Sequence, residues 1–98
     1  MLYSVLIEPR ALADIQQAIY YYDSKQIGLG KKFASAIDKH ISTISKHPFF
    51  QIRYSGVRCL PVKGFPFMIH FIVNERSNQV FIISVFHTSK NPDEWQIL

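Results

Sequence analysis

Ninety-eight residues, 48% of them apolar and 18% charged, suit one folded domain covering residues 1–98 and exclude a disordered or fibrous chain. The net charge of +4 is unevenly spread: residues 53–90 hold five basic side chains, Arg53, Arg58, Lys63, Arg76 and Lys90, against one acid, Glu75. That excess suits either a phosphate backbone or an acidic protein partner, and charge by itself does not choose between them.

Residues 2–7 are short and β-prone, and Glu8-Pro9 supplies the proline-first signal of a helix start. From residue 10 to about 24, Leu12, Ile15, Ile19 and Tyr22, with Ala11 and Ala18 beside them, recur at spacings of three and four on one helical face. Gly28 and Gly30 then punctuate the chain as helix breakers. A second helix is expected from about residue 29 to 47, with Phe33, Ala34, Ile37, Ile41 and Ile44 on one stripe and most of the lysines elsewhere, until Pro48 stops it. Two amphipathic helices joined by so short a loop form an antiparallel hairpin.

After Pro48 the period becomes extended. Strands are expected over 57–63, 67–73 and 79–86, separated by Gly64-Phe65-Pro66 and by residues 74–78, and turns this short favour an antiparallel meander. The last two strands are apolar at nearly every position, which fits strands covered on one face by the helices and partly covered on the other by a tail or partner. The fold class is therefore α+β, in the order β-α-α-β-β-β, a helical hairpin packed on a mainly antiparallel four-stranded sheet. In the tail, Asn91 caps, Pro92 takes the first helical position and Glu94 reaches back, so a short helical turn is expected.

No run approaches the roughly 18 apolar residues of a membrane span, and the opening segment lacks a signal-peptide pattern, so the reading is cytoplasmic with no membrane partner. The single cysteine, Cys59, cannot form an internal disulfide or a cysteine-cluster metal site, and its place in a strand-like run suggests a buried thiol. No His or carboxylate pair stands at ligand spacing with supporting partners, so neither a metal nor another cofactor is expected.

Several motifs in fixed order resemble the RelE/ParE family of toxins over essentially the whole chain. They are Ala11-Leu12-Ala13-Asp14-Ile15 opening the first helix, residues 28–33 opening the second, and His47-Pro48 closing it. Arg58-Cys59-Leu60-Pro61-Val62-Lys63-Gly64-Phe65-Pro66-Phe67 follows at the hairpin, and His87-Thr88-Ser89-Lys90-Asn91-Pro92 with Trp95 ends the chain. The Phe-Pro-Phe turn and the His…Asn-Pro…Trp ending look more like the ParE branch. The resemblance implies a bacterial toxin held silent by a cognate, acidic antitoxin in a hetero-oligomer. It also implies one of two activities: poisoning DNA gyrase by protein contact, or cutting messenger RNA in the ribosome. Fold alone does not decide, because function lives in sites grafted on folds.

Metal-free RNA cleavage needs a base for the 2′-hydroxyl, an acid for the leaving oxygen and cations for the charged phosphorane. His87, Arg58 and Lys63 are the residues a nuclease would use, with Lys90, Tyr54 and His70 as further side chains of the right type. His87, at the end of the last strand, reads more simply as a rim or capping residue, and His70, inside an apolar strand, as a buried structural histidine. His47 meets the negative end of the second helix, and His40 lies on that helix; both read as structural. Arg58 and Lys63, five residues apart, face opposite sides of a regular strand. By resemblance, nucleases of the family end in a basic, aromatic tail, whereas this chain ends Asp93-Glu94-Trp95-Gln96-Ile97-Leu98. The favoured reading is therefore a non-enzymatic inhibitor whose target surface comprises Arg58, Lys63, His87, Lys90 and Trp95. Tyr20 and Tyr21, pointing away from the core stripe beside Tyr22, form the expected antitoxin patch. The alternatives are a ribosome-dependent mRNA endonuclease and a non-toxic antitoxin-binding member.

Overall fold

A computed structural model of the protein describes residues 2–89. The elements run β1 (Ser4–Ile7), α1 (Pro9–Lys25), α2 (Leu29–Lys46), β2 (Ile52–Tyr54), β3 (Val57–Pro61), β4 (Phe67–Asn74) and β5 (Gln79–His87). The expected α+β order holds, with one addition. The sheet has five strands, in the order β1-β5-β4-β3-β2, with β1 parallel to β5 and the other neighbours antiparallel. The extra strand, β2, is three residues long, too short for an alternating pattern to stand out. Its sequence signal is the turn that follows: Ser55 (φ 40°) and Gly56 (φ 76°) both adopt positive φ, the type I′ geometry that matches hairpin twist.

Pro9 opens α1 in the first-turn position, where its missing N–H has no helical partner to lose. The buried face of α1 is Ala11, Ile15 and Ala18, while Leu12 is 45% exposed. Leu12 therefore lies off the core stripe: burial of Ala11 puts its neighbour about 100° round the helix. On α2 the buried residues are Phe33, Ile37 and Ile44, together with Gly30. Gly28 does break the chain, with a left-handed φ of 89° at the helix start. Gly30, expected to act as a second breaker, instead lies inside α2, where it permits close approach. A Cβ there would sit 2.6 Å from the Ile19 carbonyl oxygen and 2.7 Å from the Asp23 carboxylate. That carboxylate accepts the Gly30 N–H at 2.8 Å, tying α1 to the first turn of α2.

Both sheet faces carry buried apolar side chains, in keeping with the nearly continuous apolar pattern of β4 and β5. On the helix side, Val62, Ile69, Phe71, Val80, Ile82 and Val85 join the α1 and α2 stripes in the main core. On the other side, Val57, Cys59 and Met68 form a second cluster with Tyr54 and Ile83. One irregularity makes this possible. The register between β4 and β5 shifts after Phe71↔Ile82, so that His70 meets Ser84 and Ile83 is the extra residue. Such a bulge re-aims the side chains that follow it, so Val85 returns to the helix side.

Four rings close the end of the core beside the β3–β4 turn. Phe33 stacks at 5.1 Å on both Phe65 and Phe67, and Tyr22 lies 5.4 Å from Phe33 and 5.1 Å from Phe65. The Phe65-Pro66-Phe67 turn is thereby clamped to the helical hairpin by edge-to-face contacts.

Candidate functional site

Arg58, Lys63 and His87, the residues a nuclease site would need, lie in different surroundings. Arg58 is half-buried: its Nη1 donates to the Phe50 carbonyl at 2.6 Å and its guanidinium covers the Phe49 ring at 5.3 Å. The cation is thus engaged in bracing the loop after α2. Lys63 stands in a cleft against the outer face of α2, and its backbone N–H donates to His40 Nε2 at 3.0 Å. His87, at the end of β5, packs its ring 5.2 Å from Phe67, while the Ser89 N–H (3.0 Å) and hydroxyl (2.7 Å) both approach Nδ1. With donors converging on Nδ1, that nitrogen is the acceptor and the ring proton sits on Nε2.

His87 does meet another residue singled out in the sequence. It lines a cleft of about 300 Å³ between α1 and β5 together with Tyr21, Gln17 and Asp14. Tyr21 is 57% exposed there and carries the Lys25 ammonium 5.3 Å from its ring centre, while Tyr20, 78% exposed, points clear of the body. Asp14 is set by the fold: its Oδ2 accepts the Val85 N–H at 3.0 Å, beyond the stretch of β5 that pairs with β1. Lys90, Trp95 and the expected helical turn at Asn91-Pro92 lie outside the described residues.

Sequence reading took Tyr54, Cys59 and His70 one at a time and missed that they meet. The β3–β4 register puts Cys59 opposite His70, and Tyr54 reaches in from β2. His70 Nδ1 lies 3.0 Å from the Tyr54 hydroxyl and 3.4 Å from the Cys59 sulfur. Each group is held neutral. Burial, helped by the nearby positive charge of Arg53, lowers the His70 imidazole from 6.5 to about 4. Burial raises the Cys59 thiol to about 11, against a smaller opposing pull from Arg53. Burial, with Cys59 next in effect, raises the Tyr54 phenol to about 12. A thiol titrating near 11 supplies no thiolate at pH 7, and a fully buried imidazole titrating near 4 is too weak a base there for proton abstraction. The trio is a neutral polar knot in the second core.

Also missed was the clustering of Lys31, Lys32 and Lys39 of α2 beside Lys63. The helical spacing on α2 was visible; the arrival of Lys63 from another element was not. Among the described residues no group of three or more His, Cys, Asp or Glu side chains gathers as a metal site, and no helix is long and apolar enough to cross a membrane.

Comparison with known proteins agrees with the fold. Residues 5–92 match the family described as ParE toxin of type II toxin-antitoxin system, parDE. No curated protein sequence matches significantly. Among solved structures, a chain of the chromosomal ParDE system from P. aeruginosa superposes with a TM-score of 0.78 at 17% identity, covering 90% of this chain and 98% of that one. A chain of the intact E. coli RelBE toxin–antitoxin complex gives a TM-score of 0.69 at 16% identity, covering 91% and 99%. One from the Mycobacterium tuberculosis RelBE2 complex gives 0.65 at 15%, covering 89% and 99%. At such identities the superpositions speak for the fold, and the sequence match over 5–92 speaks for the family. The chain belongs to the ParE toxin family of type II toxin–antitoxin systems.

Proposed function

We propose that this toxin acts by binding and poisoning DNA gyrase, and that a cognate antitoxin neutralises it by covering its helical hairpin and sheet. The observation that carries the reading is the dispersal of Arg58, Lys63 and His87. Arg58 is committed to the Phe49–Phe50 loop, Lys63 stands against α2, and His87 lies against Phe67 beside α1. A metal-free ribonuclease needs base, acid and cation around one phosphate, whereas these side chains stand in three different settings. An inhibitor that works by contact has no such requirement.

The antitoxin half of the proposal draws on the RelBE complexes, in which a toxin of this fold is paired with its antitoxin. Exposed Tyr20 and Tyr21 on α1 are the proposed antitoxin contacts, since tyrosine offers a large amphipathic surface at small entropic cost. Arg58, Lys63, His87, Lys90 and Trp95 are the proposed target surface.

Expressed without its antitoxin in a bacterial host, the chain should switch on DNA-damage signalling before intact mRNA declines. His87→Ala, which trims one contact of the proposed target surface, should weaken toxicity by no more than about tenfold. Early mRNA loss, with a drop on the order of 10²-fold in that variant, is the signature of a positioned acid or base and would overturn the gyrase reading.

A further inference from the structure

Helix α2 buries Phe33, Ile37 and Ile44 and turns its opposite side to solvent. Along that outer side runs a cleft of about 530 Å³, whose lining includes Lys31, Lys32, Ser35, Lys39 and His40 of α2 and, from the β3–β4 hairpin, Lys63. Among the described residues no acidic side chain lines it. Its four lysines, all exposed, carry a formal charge equal to the net +4 of the entire chain.

The cleft is held open by a defined strut. His40 Nδ1 lies 2.6 Å from the Ala36 carbonyl, which only accepts, so Nδ1 carries the ring proton. Nε2 is then the acceptor for the Lys63 N–H at 3.0 Å. Both ring nitrogens are thus occupied in fixing the hairpin to α2, and Lys63 is stationed where it adds its charge to the lysines of the helix. His40 is a positioning residue here, not a ligand.

We propose that this cleft binds the sugar–phosphate backbone of a nucleic-acid duplex without reading its sequence. Lysine is depleted at protein–protein interfaces, whose energy comes from aromatic and apolar anchors. Among the described residues no Phe, Tyr, Trp, Leu or Ile lines the cleft. Backbone recognition uses what is present: lysines as point charges and a serine hydroxyl. Among the described residues the lining has no Phe, Tyr or Trp to serve as a stacking platform and no Asn, Gln or Arg to read a base edge, and the His40 ring is committed to the α2–hairpin strut. The dimensions agree. Lys31 and Lys39 are eight residues apart, about 12 Å along a helix, the axial length over which one DNA strand carries three to four phosphates. The site is separate from the Tyr21–His87 cleft and shares only Lys63 with the proposed target surface.

The test is fluorescence anisotropy of the purified full chain with a short labelled DNA duplex of arbitrary sequence, and with the matching RNA duplex, across a salt series. Four lysine contacts predict a log–log salt slope of about −3.6 on DNA, a weakening of about 150-fold between 50 and 200 mM salt. The double variant Lys32→Glu/Lys39→Glu should bind at least tenfold more weakly, with the slope falling to about −1.8. A charge-matched control off α2, Arg53→Glu/Arg76→Glu, should stay within about threefold, and matching circular dichroism melts establish that both variants fold. Binding of either duplex, or of both, with this pattern supports a phosphate site, and the two arms identify which nucleic acid supplies it. A slope shallower than −1, equal weakening of cleft and control variants, or binding of polyglutamate where neither duplex binds would overturn the proposal. The last result would assign the cleft to an acidic protein.

Discussion

Replacing Phe33 with alanine should destabilise the free toxin by about 3–5 kcal/mol, the range for deleting a fully buried aromatic ring. Phe33 is 0% exposed and touches Tyr22, Phe65 and Phe67, so its removal leaves a cavity and also loosens the β3–β4 turn from the helices. Small domains are stable by only about 5–15 kcal/mol, and each kcal/mol is worth roughly 4–8 °C at this size. The melting temperature should therefore fall by more than about 12 °C. A loss below about 1 kcal/mol would mean that the ring cluster is not the closing piece of the core. Excess antitoxin should restore much of the deficit, since a ligand specific to the native state adds about 2.7 kcal/mol at a hundredfold excess over its Kd.

Acid should destabilise the protein through His70. In the unfolded chain this imidazole titrates near 6.5, and in the folded chain near 4, because its burial against Tyr54 and Cys59 disfavours the charged ring. Between those values the unfolded state takes up a proton that the folded state refuses. The stabilisation is complete above about pH 6.5 and is lost progressively as the pH falls toward 4, about 3 kcal/mol in all. Below 4 both states are protonated and nothing more is lost at this site. His70→Asn keeps a hydrogen-bonding atom near the Nδ1 position and removes the titration. Denaturation midpoints of the two proteins at pH 7 and pH 4.5 isolate the effect, because carboxylates contribute equally to both. Parallel loss in parent and variant would show that His70 is not held neutral by the fold.

Residues that act locally were legible in the sequence. Pro9, Gly28 and Pro48 punctuate the helices where steric rules require, and the stripe of Phe33, Ile37 and Ile44 is buried as its spacing demands. What escaped depends on partners distant in the chain. Gly30 looks like a breaker until Ile19 and Asp23 arrive against it. Leu12 and Ala11 are adjacent, and only the seating of α1 on the sheet decides which is buried. Tyr54, Cys59 and His70 become one knot only through the β3–β4 register. Likewise the lysines of α2 become a cleft only when Lys63, held by His40, comes alongside. Helix and strand are written in local periodicity, whereas the clefts are products of tertiary convergence. For Arg58 and Lys63 strand alternation did not decide the placement: β3 ends at Pro61, before Lys63, and the neighbours are Phe49 and Phe50 for one and α2 for the other.

Toxicity through protein contact with gyrase is testable with purified components alone. The isolated toxin is added to DNA gyrase with relaxed plasmid and ATP, and in parallel to ribosomes programmed with a defined mRNA. Inhibited supercoiling or accumulated cleaved DNA in the first reaction, with intact transcript in the second, is the result expected. Unimpaired supercoiling together with transcript cut on the ribosome would make the chain a ribosome-dependent nuclease and not a gyrase poison.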